Sequence, residues 1–436
     1  KAGGPHMLTI SSGDKTVKIG DVLIGEVWTG SGQSNMQWTV GLSRDSQTEI
    51  ASANYGTMRL FYVPRKTADT PQTDVDAKWE VCTSETVPEF SAVLYYFGRT
   101  LLRELDVPIG LIHSSWGGTP AESWASRERL GSTPETRPIL EWWDRHLKEL
   151  PQLQADYQAK ITAWEEQAKA AKERGEPEPR RPGGEPFGAD HPWRASSLYN
   201  AMIHPLVPYG IQGAIWYQGE SNAGRAHQYR TLFAAMIEDW RAAWGGRDFP
   251  FVLVQLANFT KRLDQPADSD WAELREAQTM ATQLPDVGMA VTIDIGEAED
   301  IHPKNKQDVG TRLAAWALAN TYKRDVSSSG PMYFEKSVEQ GKIRIKFAHA
   351  ENGLVKVGEK LTGFAIAGAD KKFVWADAAI DGDSVVVSSP EVPSPESVRY
   401  GWANNPACNL YNRSGLPASP FRTDDWPGIT EGKLTP

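Results

Sequence analysis

Four short polar segments of this chain carry the residue types of acyl transfer. In Gly30-Ser31-Gly32-Gln33-Ser34-Asn35-Met36 the glycines permit a sharp turn and leave Ser34 where a helix would begin. A serine there gains from the helix dipole, and its own N–H can face a developing oxyanion. A phosphate cradle lacks the P-loop lysine, and the spacing is not that of a G-x-S-x-G elbow. In Ser114-Ser115-Trp116-Gly117-Gly118-Thr119 paired glycines let backbone N–H groups approach a substrate atom closely. The segment Trp216-Tyr217-Gln218-Gly219-Glu220-Ser221-Asn222 offers Gln218 or Asn222 as an oxyanion donor. Its Glu220 suits orienting a base or holding a sugar hydroxyl. In Asp294-Ile295-Gly296 and Glu299-Asp300-Ile301-His302-Pro303, His302 is the one of eight histidines flanked by carboxylates on a loop after a core strand. A neutral imidazole near pH 7 suits a general base, and a carboxylate on its other nitrogen fixes the tautomer. No H-x-H, H-E-x-x-H or C-x-x-C pattern accompanies it, so no metal site is read here.

Taken singly, each segment has an ordinary alternative: a capping serine, a βα turn, polar side chains at a strand end, a surface ion pair. Their placement decides. Each follows a separate apolar strand candidate: Val22–Trp28, Pro108–Ser114, Ile211–Tyr217 and Gly288–Ile293. Met58–Val63 and Pro250–Leu256 are further candidates, and all read as strands buried on both faces. Helices are expected over Ala92–Leu105, Ala226–Trp244, Ala272–Leu284 and Lys306–Tyr322. Strand–helix alternation implies a parallel sheet with helices on both sides, and ligands bind beyond the carboxyl ends of such strands. All four segments then share one edge, supplying a nucleophile, oxyanion donors, an amide and a base.

Three regions flank or interrupt this pattern. Residues 8–23 read as short strands around a Ser11-Ser12-Gly13-Asp14 turn. From about residue 326 the chain becomes a small all-β module, with strands at Lys342–Phe347, Lys372–Trp375 and Ser384–Ser388 and an irregular tail after Val392. Between about 132 and 190 lies an insertion. Leu147, Leu150, Leu153, Tyr157, Ile161, Trp164, Ala168 and Ala171 form a helical seam in it. Pro151 is expected to start a second helix, giving a helical hairpin that either packs on the surface or serves as a lid.

Composition narrows the class. The 436 residues carry 46 basic and 56 acidic side chains, a net charge of −10. That balance argues against a nucleic-acid partner. No run reaches the ~18 apolar residues of a membrane span. The N-terminus has no apolar signal region and no initiator Met, so the chain reads as a processed or trimmed form. Two cysteines, Cys82 and Cys408, exclude a disulfide scaffold; they are either one bridge or two buried thiols. Seventeen tryptophans are unusual, and five of them (Trp28, Trp38, Trp116, Trp124 and Trp216) lie in or near the first three segments.

The blocks Gly32-Gln33-Ser34-Asn35-Met36, Trp116-Gly117-Gly118-Thr119, Gln218-Gly219-Glu220-Ser221-Asn222 and Asp300-x-His302-Pro303 resemble, in order, those of the SGNH hydrolases. Within these, the sialate O-acetylesterase-like carbohydrate esterases are the most similar. The resemblance implies a three-layer α/β/α, flavodoxin-like domain over residues 24–325 with a central parallel sheet. Residues 1–23 would belong to an accessory β region, and 326–436 to a β-sandwich-like module. It implies removal of O-acetyl groups from sialic acid or plant-polysaccharide glycans, without cofactor or metal, and favours a periplasmic or secreted location. Ser34 would be the nucleophile and first oxyanion donor, Gly118 the second, Gln218 or Asn222 the third, and His302 the base. The family's acid usually stands three residues before the histidine, where this chain has Glu299. Asp300 is therefore favoured, with Glu220 second. Gln33, Trp116 and Trp124 are expected to touch substrate. The rival readings are a lipase or arylesterase on apolar esters, and a non-catalytic carbohydrate-binding protein.

Overall fold

The chain begins as a two-stranded antiparallel ribbon, β1 (Gly3–Ser12) and β2 (Lys15–Ile24), closed by the expected turn. The structure is a computed structural model and describes residues 1–350 and 353–435. Register pairs Leu8 with Ile19 and Ile10 with Val17, so four apolar side chains share one ribbon face. All four are 46–58% exposed, which leaves that face uncovered.

At Gly25 the chain turns against Pro108, whose carbonyl leaves no room for a side chain. The single strand expected over Val22–Trp28 is therefore two: its first half ends β2 and its second begins β3 (Glu26–Gly32). Then follow β4 (Tyr55–Tyr62), β5 (Trp79–Cys82), β6 (Ile109–Ser115), β7 (Gly213–Tyr217), β8 (Phe251–Val254) and β9 (Val287–Ala290). These seven form one sheet in the order β5-β4-β6-β3-β7-β8-β9. It is a mixed sheet: β5, unanticipated from sequence, runs antiparallel to β4 at the edge, while the other neighbours are parallel. From central β3 the chain crosses to β4 and edge β5, comes back to β6 beside β3, and then passes to β7 on the other side. That reversal opens a crevice at the carboxyl end of β3.

The helices in chain order are α1 (Ser34–Gln37), α2 (Ser46–Ser52), α3 (Ala92–Leu105), α4 (Arg127–Gly131), α5 (Arg137–Arg174), α6 (Ala226–Ala243), α7 (Asp270–Ala281) and α8 (Lys306–Asn320). Trp28 packs edge-on to Phe97 of α3 and donates to the Tyr322 hydroxyl just beyond α8. Three residues further, Ser31 points to the other face and pairs in register with Trp216, which packs on Phe233 and Trp240 of α6. So α3 and α8 cover one face, and α6 with α7 the other. Ser91 caps α3 by accepting from Leu94 N–H, and its hydroxyl donates to Met36 carbonyl at 2.6 Å. One serine thus starts a helix and anchors the one-turn α1 below the crevice.

The insertion departs from expectation. A single 38-residue helix, α5, replaces the helical hairpin. Pro151 lies inside it, on the exposed face. The expected seam is there, but it packs against an extended return segment. Trp164 Nε1 donates to Pro179 carbonyl at 2.8 Å, and His146 Nε2 bonds Phe187 carbonyl at 2.9 Å.

The C-terminal region has a second core. One antiparallel sheet joins β10 (Met332–Glu339), β11 (Lys342–Ala348), β15 (Asp377–Asp381) and β16 (Ser384–Ser388). Another joins β13 (Phe364–Ala367), β14 (Val374–Trp375), β17 (Ser397–Tyr400) and β19 (Phe421–Arg422), while β12 (Leu354–Lys356) pairs with β18 (Leu410–Asn412). Ile343, Ile345, Val385 and Val387 from one sheet meet Phe364, Ile366, Val398 and Tyr400 from the other. Among the described residues no helix is long and apolar enough to cross a membrane.

Candidate active site

Gly32 ends β3 with φ +135°, and a Cβ there would fall 2.2 Å from Tyr217 carbonyl. Only glycine fits a backbone that close to its neighbour. Gln33 N–H then donates to the same carbonyl at 3.0 Å, and α1 opens on Ser34. Ser34 is partly exposed at the crevice, whereas Asn35 beside it is buried.

Asn35 is the joint of the site. Its amide nitrogen donates to Glu220 Oε1 at 2.7 Å and to Ile301 carbonyl at 3.0 Å. Its carbonyl oxygen accepts from Lys306 Nζ at 2.5 Å. The residues after Ser34 and before His302 are therefore bonded directly to one another.

His302 stacks on the Trp38 ring, with centroids 4.9 Å apart and planes 14° from parallel. The backbone N–H of His302 donates to Asp300 Oδ1 at 2.9 Å, and the same oxygen lies 3.5 Å from the ring Nδ1. Burial and the charge of Lys306 push the imidazole pKa below its ordinary value, against the pull of Asp300. Glu299 is exposed. Glu220 bonds Asn35 through Oε1, while Oε2 is buried without a partner. Burial raises its pKa against the hydrogen bonds and Lys306.

The glycines after β6 close over Ser34. A Cβ on Gly117 would stand 3.3 Å from Ser34 Cβ. Gly117 N–H is taken by Gln37 Oε1 at 2.7 Å, whereas Gly118 N–H donates to no group among the described residues. Ser34 N–H heads its helix and has no intrahelical partner. Two backbone donors thus remain at the crevice.

The third expected donor is engaged elsewhere. Gln218 Nε2 donates to Thr119 carbonyl and Asn222 Oδ1, and its Oε1 accepts from Tyr229. Asn222 Oδ1 also takes Ala121 N–H, and its Nδ2 donates to Glu122 at 2.8 Å. Both side chains are buried, so they lock the loop carrying Gly118. Gln33 is buried too, its Oε1 accepting from Gly219 and Ser221 N–H. Trp124 corrects the sequence reading most plainly. It is wholly buried, bonds Thr119 through Nε1 and packs on Trp216, so no sugar reaches it. Trp116 is half-buried, with Arg65 over its ring at 5.9 Å. A cavity of about 330 Å³ opens nearby, lined by Gln37, Tyr62, Arg65, Glu80 and Glu89 among others.

Two features escaped the sequence reading. Ser115 Oγ lies 2.6 Å from His113 Nε2, a pairing that imitates a catalytic dyad. Both are buried, and His113 is pushed down to about 3 by burial and Arg65, so it is a structural contact. The other is Lys306, wholly buried at the first position of α8. A cation there opposes the helix dipole, the one signal that marked it in sequence. Among the described residues no group of three or more His, Cys, Asp or Glu stands together to hold a metal ion. Cys82 and Cys408 are free thiols, each pushed up to about 12 chiefly by burial.

Residues 182–319 match the family model of carbohydrate esterase, sialic acid-specific acetylesterase. The sialate O-acetylesterase of Mus musculus is 31% identical over 464 residues, covering 97% of this chain and 82% of that protein. The human sialate O-acetylesterase is 30% identical over 475 residues, covering 98% and 82%. The crystal structure of a carbohydrate acetylesterase from Xanthomonas citri superposes with a TM-score of 0.81 at 38% identity, covering 98% of this chain and 86% of that one.

Proposed function

The chain belongs to the sialate O-acetylesterase family of carbohydrate esterases, and from that premise we propose that it frees acetate from O-acetylated glycans through Ser34, His302 and Asp300. One observation carries the reading. Asn35, next to Ser34, is hydrogen-bonded to Ile301, next to His302, which supports pairing Ser34 as nucleophile with His302 as base at the edge where the sheet reverses.

In the first half-reaction His302 Nε2 accepts the Ser34 Oγ proton as Oγ attacks the acetyl carbonyl. The oxyanion forms against the N–H groups of Ser34 and Gly118. As the tetrahedral intermediate collapses, the carbonyl reforms and the C–O bond to the sugar breaks. The imidazolium gives its proton to the departing sugar oxygen, leaving acetyl-Ser34. Water then repeats the sequence, and acetate leaves. Asp300 supports the tautomer with Nδ1 protonated, because its carboxylate faces that nitrogen. Glu220 is placed below Asn35, which favours a supporting role for it over that of the acid. The strand order β6-β3-β7-β8-β9 favours an SGNH-type three-layer domain over residues 24–325, with 326–436 as an accessory module.

Ser34→Ala tests this on a panel of acetylated sialosides and acetylated plant oligosaccharides. Acetate release should fall by about 10³-fold or more, while EDTA leaves the wild type unchanged. Retained activity in the mutant would remove serine catalysis, and a preference for octanoate over acetate esters would move the substrate class to lipids.

A further inference from the structure

A lysine with no water around it is costly: removing an ammonium from solvent costs several kcal/mol unless the site compensates. Lys306 is fully buried, and its one hydrogen-bond acceptor among the described residues is the neutral amide of Asn35. Two rings complete its surroundings, Tyr217 at 5.4 Å and Trp38 at 5.8 Å from Nζ. Trp38 is the ring on which His302 stacks. The anions that face Lys306 are Glu220 beyond the end of β7, and Asp300 and Glu297 on the loop before α8.

We propose that Lys306 is a positioning residue for the hydrolysis: through Asn35 it ties the Ser34 turn to the His302 loop, and it sets its charge against the Trp38 ring on which His302 stacks. The inference rests on the Ser34–His302 reading above. The hydrogen bonds join three of the four segments, Lys306 Nζ to Asn35 Oδ1, then Asn35 Nδ2 to Glu220 Oε1 and Ile301 carbonyl. Lys306 lowers the pKa of His302, second only to burial, and Asp300 acts the other way. Burial brings Lys306 itself down to about 7, with Glu220, Asp300 and Glu297 opposing. Its charge therefore grows as pH falls from neutral, where His302 would otherwise begin to protonate.

The test is the pH profile of kcat/KM for acetate release by the full chain and three variants. Lys306→Met removes charge and donor, Lys306→Gln keeps a donor for Asn35, and Lys306→Arg keeps a charge that does not titrate. In Met and Gln the acidic limb should rise toward the ordinary histidine value of about 6.5, with KM little changed. A half-unit rise reads as about a threefold loss on that limb. Arg should hold the limb at or below its wild-type position. If Lys306→Met fails to fold, Gln and Arg decide alone. A limb that stays put in folded Met or Gln variants overturns the inference, as does a loss uniform across pH. Ser34→Ala, run in parallel, separates the failures: an active alanine variant removes the underlying reading, and an inactive one confines the failure to Lys306.

Discussion

At the residue scale the site turns on the opposed pulls on one imidazole. Burial and Lys306 hold His302 below its usual value, and Asp300 raises it. A base works only when neutral, so activity should be lost as pH falls through a midpoint below about 6.5, the ordinary histidine value. Asp300→Asn removes the upward pull. Its limb should move to still lower pH while kcat falls by about 10²–10⁴-fold, because the tautomer is no longer fixed. Glu220→Gln should cost less, since Glu220 meets His302 only through Asn35 and the intervening backbone. Steady-state kinetics on an acetyl ester checks both, and a greater loss in Glu220→Gln than in Asp300→Asn would exchange their roles. The same scale settles the tryptophans near Ser34: Trp38 backs His302, Trp116 is half-buried at the rim, and Trp124 is core.

At the element scale, the loop after β6 is held from beneath by a buried ion pair. Glu122, wholly buried, accepts from Arg225 and from Asn222 Nδ2. Asn222 in turn fixes Ala121 N–H, three residues after Gly118. Arg225→Met should destabilise the protein by about 3–5 kcal/mol, because it strands a buried carboxylate. Adding Glu122→Gln should recover part of that. Denaturant unfolding of the two variants measures it, and a single-mutant loss under about 1 kcal/mol would mean the pair carries little. Helix α5 gives a different lesson. The apolar spacing read its seam correctly, but a proline on the exposed face interrupts the helix less than its local preference suggests, and the seam's partner is not helical.

At the scale of the whole molecule, one side chain joins the two cores. Arg275 on α7 is fully buried and donates to four carbonyls: Leu256 and Ala257 after β8, and Ala403 and Asn404 in the C-terminal region. Asn405 adds bonds to Asn258 and Thr260. Further along, Glu273 of α7 accepts from Ile429 and Thr430 N–H, so the chain end straps back onto the helices. Arg275→Met orphans the Leu256 and Ala403 carbonyls, whereas those of Ala257 and Asn404 keep Trp271 Nε1 and Phe259 N–H. At about 1–3 kcal/mol for each orphaned acceptor not rescued by water, it should cost at least about 2 kcal/mol and uncouple the melting of the two cores. A single unchanged calorimetric transition would show that other contacts suffice.

The sequence by itself determined most strands of the parallel sheet, the main helices and the four polar segments at the strand ends, because these depend on local signals. Continuous apolar runs marked β4, β6, β7 and β8, three- and four-residue spacing marked α3 and α6, and glycine-rich segments marked the strand ends. The order of the blocks implied a shared edge, since parallel strands all end on one side. Tertiary structure decided what each polar side chain faces. Gln218 and Asn222 carry the right groups for an oxyanion but spend them on the loop, Trp124 lies beside a functional block yet inside the core, and His113 pairs with a serine that solvent never reaches. Lys306, far along the chain from Ser34, became part of the site only when β7, α1 and α8 converged on Asn35. Local pattern fixes where a chain turns. Which donor meets which acceptor is set by contacts between residues far apart in sequence, and those exist only in the folded molecule.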